Sequence, residues 1–132
     1  MPVITRAFIK TSLLCFALAL GFGILLALRA PYSIFAVYIH LLVFGWLTQL
    51  IFGVAHWMFP KYSAQLPRGR DDLAWFSYGA LNLGLLLRAI AEPMQASQAS
   101  AGFSVLLVVS AILQWLAGMA FIVNIWGRVK ER

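Results

Sequence analysis

The stretch Pro31 to Pro60 reads PYSIFAVYIHLLVFGWLTQLIFGVAHWMFP. It is apolar from end to end and bounded by prolines. At 1.5 Å per residue it is long enough to cross the roughly 30 Å hydrocarbon core of a bilayer. It also carries both histidines of the chain, His40 and His56. Working outward, three more apolar runs are expected to be helices, over about residues 4–28, 73–91 and 101–126, with the quoted stretch helical over about 31–59. The expectation is an all-α fold, a four-helix transmembrane bundle forming a single domain over residues 1–132.

Composition supports that class. The 132 residues are 63% hydrophobic and 11% charged, whereas soluble domains average about 25% charged. A chain this short cannot bury so much apolar surface in its own interior, so lipid must cover the rest. The single cysteine, Cys15, lies in an apolar run and has no intrachain partner. The basic residues flank apolar helices, which points to membrane topology and away from nucleic acid.

The first run begins with Arg6 and Lys10 and imitates a signal peptide. Its length, the bulky Leu28 and the following Pro31 argue against cleavage. Small residues at Ala19, Gly23 and Ala27, and at Ala17 and Gly21, form ridges suited to close helix packing in lipid. Arg29, Ala30 and Pro31 are expected to turn the chain into the second helix. The segment KYSAQLPRGRDD is the longest polar loop, and Asp71 and Asp72 offer an N-cap to the third helix. That helix is expected to end near Glu92 and Pro93, with MQASQAS as a polar connection.

Eight basic residues fall on one side: Arg6, Lys10, Lys61, Arg68, Arg70, Arg128, Lys130 and Arg132. Arg29 and Arg88 fall toward the other. The asymmetry predicts cytoplasmic N and C termini, as in a bacterial inner membrane. Trp57, Trp75 and Trp126 mark the same end, where an aromatic belt belongs.

His40 lies about nine residues below the outer helix end, roughly 13 Å deep. An ionisable side chain at that depth is a candidate functional site. It is a heme ligand, a ligand to another metal, a member of a proton relay, or a neutral imidazole bonded to a carbonyl. His56 is roughly 24 Å further along and about 160° around a uniform helix, so the two cannot share one metal within a chain. Beside Trp57, His56 reads as a snorkelling interfacial residue or as a ligand to a second heme. Gly45, Gln49, Gly53 and His56 share a face opposite His40. Gln49, Asn82, Gln114 and Asn124 read as interhelical hydrogen-bond glue rather than as a proton path. Arg29 and Arg88 either snorkel to headgroups or pair with the propionates of a heme held by His40.

The residues missing from the chain exclude several classes. Two histidines cannot supply a dinuclear oxygen-reducing centre, there is no CxxCH for covalent heme, and there is no nucleotide loop and no nucleophile with a base.

Around His40 the second helix resembles helix II of subunit I of the heme-copper oxidases. The residues that carry the resemblance are His40, Gly53, Trp57 and Pro60, with His56 where that family often has Asn. It covers roughly 30 residues well and four helices loosely. The resemblance implies that His40 ligates a low-spin heme b. It does not bring the copper ligands, nor the second axial ligand, which in that family comes from a much later helix absent here. The expected function is a membrane-bound b-type heme protein, working in electron transfer or in heme or gas sensing and not as an oxygen-reducing enzyme. The alternative is a cofactor-free structural or assembly subunit of a respiratory complex; a small transporter is poorly supported. Neither Met94 nor Met119 lies at the right depth to complete the ligation, so a parallel homodimer is expected, with one heme shared by two His40 side chains or one heme held by each chain, together with an unidentified redox partner.

Overall fold

Residues 1–29, 31–65 and 67–129 are described by a computed structural model. Ala30 of the first turn, and Lys130 and Arg132 of the basic tail, lie outside the described residues. Four helices long and apolar enough to cross a membrane make up the molecule: α1 (Val3–Ala27), α2 (Tyr32–Met58), α3 (Asp71–Ser97) and α4 (Ala101–Trp126). Among the described residues there is no strand. No more than a third of any span's most apolar window is buried inside the bundle. Leu14, Leu18, Leu86, Val105, Ile112 and Val123 all point outward. An apolar exterior of this kind is stable only in lipid.

The bundle is assembled from two helical hairpins, α1 on α2 and α3 on α4. Apolar burial gives little drive between helices already in lipid, so close packing and polar contacts must hold them. At Gly45 of α2, a Cβ would come within 2.9 Å of Cys15 Cβ; at Gly53 it would come within 2.7 Å of Phe8 Cβ. Glycine at both positions is what lets α1 lie against α2. At Gly84 of α3 the carbonyl oxygen of Ser110 would be 3.0 Å from an added Cβ. Across the same α3–α4 seam Ser110 Oγ donates to the Gly84 carbonyl at 2.7 Å, and Ser77 Oγ donates to the Ala117 carbonyl at 2.8 Å. The hairpins meet through Phe52 stacked on Phe121, centroids 3.8 Å apart, and through a 2.8 Å hydrogen bond between the Thr11 and Tyr78 hydroxyls.

Helix α2 is not uniform. It opens with a 3-10 turn (Tyr32–Ile34), continues as α-helix to His40, runs as π-helix over Leu41–Thr48, and returns to α-helix over Gln49–Met58. The sequence explains the need for the wide turn. Val37, Leu41, Gly45, Gln49 and Gly53 are all buried and recur at intervals of four. In a regular α-helix each four-residue step overshoots the turn by about 40°, so the last of these would rotate off the packing face. A π turn takes more residues per turn and keeps them in line. The 160° separation of His40 and His56, drawn on a uniform helix, therefore does not hold.

Two expected boundaries change. Helix α3 continues through Pro93 to Ser97 instead of stopping near Glu92. The extra turn is anchored to the start of α4, where Gln95 Oε1 accepts from the Ser100 backbone N–H and Gln95 Nε2 donates to Ser104 Oγ. Asp71 and Asp72 lie in the first turn of α3 rather than capping it. The cap position is Arg70, whose guanidinium holds Asp72 at 2.6 Å, and both acids still complement the helix dipole.

Candidate functional site

His40 ends the first α-helical part of α2, immediately before the π turns. Its Nδ1 lies 2.8 Å from the carbonyl oxygen of Ala36, one turn back. A carbonyl can only accept, so Nδ1 carries a proton, and in the neutral form of the ring Nε2 keeps its lone pair. The ring is half-buried and stacks on Phe44, centroids 5.7 Å apart. Histidines that bind metals commonly have the other ring nitrogen held in this way by a carbonyl.

His40 lines a cleft of about 350 Å³ with Phe44, Arg88, Ala111, Gln114 and Trp115. The fold thus brings together His40 of α2, Arg88 of α3 and a stripe of α4. Arg88 is mostly buried and already partnered: Nη1 donates to Glu92 Oε2 at 3.1 Å and Nε to Ser110 Oγ at 3.4 Å. Trp115 is 62% exposed on the same cleft, although tryptophan favours the ends of membrane helices. Arg29 is elsewhere. It occupies the turn after α1 with a left-handed backbone, φ 63°, and its side chain is exposed; it does not line the cleft.

His56 departs from the expectation of a snorkelling side chain. It is 3% exposed, inside the bundle, because it continues the buried face of Gly45, Gln49 and Gly53 rather than that of Trp57. Its Nε2 lies 4.0 Å from Asp71 Oδ1. Among the described residues, no three side chains of His, Cys, Asp or Glu gather to hold a metal ion.

The expected polar glue divides in two. Gln114 donates to Ser110 Oγ at 3.1 Å, one turn back on its own helix α4, and it is Ser110 that bonds across to α3. Asn82 likewise donates to the Tyr78 carbonyl of its own helix. Asn124 grips the loop instead, accepting from the Arg70 N–H at 2.8 Å and donating to the Arg70 carbonyl at 3.0 Å. The Gln49 side chain has no hydrogen-bond partner among the described residues.

Sequence reasoning missed Arg128, which reads as part of a charged tail. It is 1% exposed and donates to four carbonyls, those of His56, Phe59, Pro60 and Arg68. The guanidinium closes the C-terminal end of α2, where helix carbonyls otherwise lack partners. Burial and the charge of Arg68 both lower its affinity for the proton, but arginine stays charged throughout. No local signal marks it in the sequence; its neighbour Gly127 packs on the Tyr62 ring, where an added Cβ would come within 2.5 Å.

Comparison with models of protein families, with curated proteins and with solved structures finds no match. The chemistry of the site therefore rests on its residues. An imidazole with one nitrogen tied back and one lone pair, in a cleft open to lipid, can supply one axial ligand to a metal whose other ligands arrive with it.

Proposed function

We propose that this chain is a membrane-bound b-type heme protein in which His40 is an axial ligand. The observation that carries the reading is the Nδ1 hydrogen bond to Ala36, which leaves Nε2 as the ligating atom. The residues fit the group. A porphyrin supplies the equatorial ligands of its iron, so one oriented imidazole is enough for attachment. Phe44 and Trp115 offer apolar and aromatic surface beside it, and Arg88 offers a cation for a propionate. Bound there, the group would supply one-electron redox chemistry or gas binding, with burial and axial ligation setting its potential. The chain's own residues orient the imidazole, keep its tautomer and exclude bulk water.

The charge asymmetry supports cytoplasmic termini and an inner-membrane setting. The sideways opening of the cleft supports a second copy of the chain, in the same orientation, covering Trp115 and completing the ligation. A cofactor-free subunit of a larger membrane complex is the second reading, favoured by that same open face.

The protein purified in detergent from heme-replete cells should show a Soret band and sharp reduced α and β bands. His40→Ala should abolish them with helix content unchanged by circular dichroism, and His56→Ala should spare them. A colourless wild-type protein would overturn the proposal and leave the subunit reading.

A further inference from the structure

Among the described residues, four buried side-chain atoms have no hydrogen-bond partner: Thr5 Oγ1, Gln49 Oε1, Gln49 Nε2 and His56 Nε2. Thr5 and Gln49 are fully buried and His56 nearly so. All three belong to the α1–α2 hairpin, and its register puts them on one line. Gly45 meets Cys15, while Gly53 meets Phe8 and the Thr5 carbonyl. The two helices run antiparallel, so the level of Gln49 is reached on α1 near Ser12, and the level of His56 near Thr5. Ser12 Oγ donates to the Ile9 carbonyl, and its lone pairs remain able to accept.

The line reaches the surface at the loop end. His56 Nε2 and Asp71 Oδ1 are 4.0 Å apart, too far for a direct hydrogen bond, a spacing at which a bridging water is the first thing to consider. The Asp71 side chain is 76% exposed. It lines an open hollow of about 290 Å³ with Ile4, Gln65, Arg68 and Trp75. Asp71 is thus the residue that both lines the hollow and faces His56.

Unpaired polar atoms between membrane helices are costly, because lipid offers them nothing. Buried polar groups without protein partners are ordinarily met by ordered water. We propose that ordered water completes this line, entering from the hollow at Asp71 and passing His56 and Thr5 to Gln49 and Ser12. It gives protons access from the loop end of the bundle to His56. A proton taken up on Nε2 turns that atom into a donor toward the Asp71 carboxylate. The other charges facing the imidazole are Arg68 and Arg128, the latter bonded to the His56 carbonyl. This path does not depend on heme.

Water-edited solid-state NMR of the full chain in lipid bilayers tests it, with Gln49→Leu identifying the Gln49 signal. The side chains of Gln49 and His56 should receive water magnetisation nearly as fast as Asp71 and severalfold faster than Leu85, a buried apolar control. His56→Phe should slow transfer to Gln49 severalfold and leave Asp71 unchanged. His56→Asn, which keeps a polar group, should preserve it and shows that substitution alone does not disturb the bundle. The His56 ring nitrogen signals should respond to a change in bulk pH. Gln49 and His56 as slow as Leu85, or transfer to Gln49 unaffected by His56→Phe, would overturn the path. A His56 ring blind to bulk pH would overturn the proton access.

Discussion

Arg128 and Arg88 show how differently two arginines can be used at the ends of one bundle. Arg128 has no acidic partner among its described contacts; it is held by the carbonyls of His56, Phe59 and Pro60 at the end of α2 and by that of Arg68 in the loop that follows. Removing it exposes those carbonyls together and frees the loop after Phe59. Arg128→Ala should lower stability by at least the worth of one charge-assisted hydrogen bond, about 1.5–3 kcal/mol, measured by reversible unfolding in mixed micelles. Arg128→Lys should recover only part, because an ammonium lacks the planar fork that spans several acceptors. Arg88 is instead neutralised by Glu92. If a heme propionate lies near the pair, Arg88→Leu should lower the midpoint potential, since it leaves the carboxylate of Glu92 uncompensated beside the iron. Arg88→Leu combined with Glu92→Gln should restore most of the loss in a potentiometric titration. Unchanged potentials in both would separate the pair from the heme.

At the scale of the element, the decisive feature is the pairing of α1 with α2. The π turns keep Gly45, Gln49 and Gly53 on one face, and the glycines let the helices touch. Gly45→Ala would place its Cβ 2.9 Å from Cys15 Cβ, and Gly53→Ala 2.7 Å from Phe8 Cβ, whereas nothing lies within 4 Å of a Cβ at Gly21. The first two substitutions should each destabilise by about 1–3 kcal/mol, the usual cost of overpacking. Gly21→Ala should be neutral or slightly stabilising, because alanine is the better helix former. Thermal unfolding of the three variants side by side checks this. Equal effects at all three positions would mean that the glycines are not what sets the helix separation. This face was partly legible beforehand: Gly45, Gln49, Gly53 and His56 could be grouped from spacing alone. The π turns were not, since they answer to what the neighbouring helix presents.

For the whole molecule, two hairpins in lipid place the start of α1, the end of α2, the start of α3 and the end of α4 at one end, and the opposite helix ends at the other. Trp57, Trp75 and Trp126 are exposed at the loop end, consistent with an interfacial belt. Reporter fusions after Tyr62 and after Met94 should read cytoplasm and exterior respectively; the reverse result would invert the proposed orientation and move His40 to the inner leaflet. Native mass spectrometry should find two chains per particle, and a strict monomer would remove the second copy from the proposed heme site.

Hydropathy and length alone determined the class, the number of spans and nearly all their limits, because a helix in lipid must satisfy its own backbone and needs about twenty apolar residues whatever its neighbours are. The depth of His40 and the polar character of the buried face followed from position along those spans. Only the tertiary structure decided what each polar side chain meets. It placed Arg88 beside His40 and left Arg29 outside, drew His56 into the interior, carried α3 through Pro93, and turned a tail arginine into the clamp on α2. Those outcomes depend on contacts between residues far apart in the chain, as with Arg128 and the carbonyl of His56, and no local pattern encodes them.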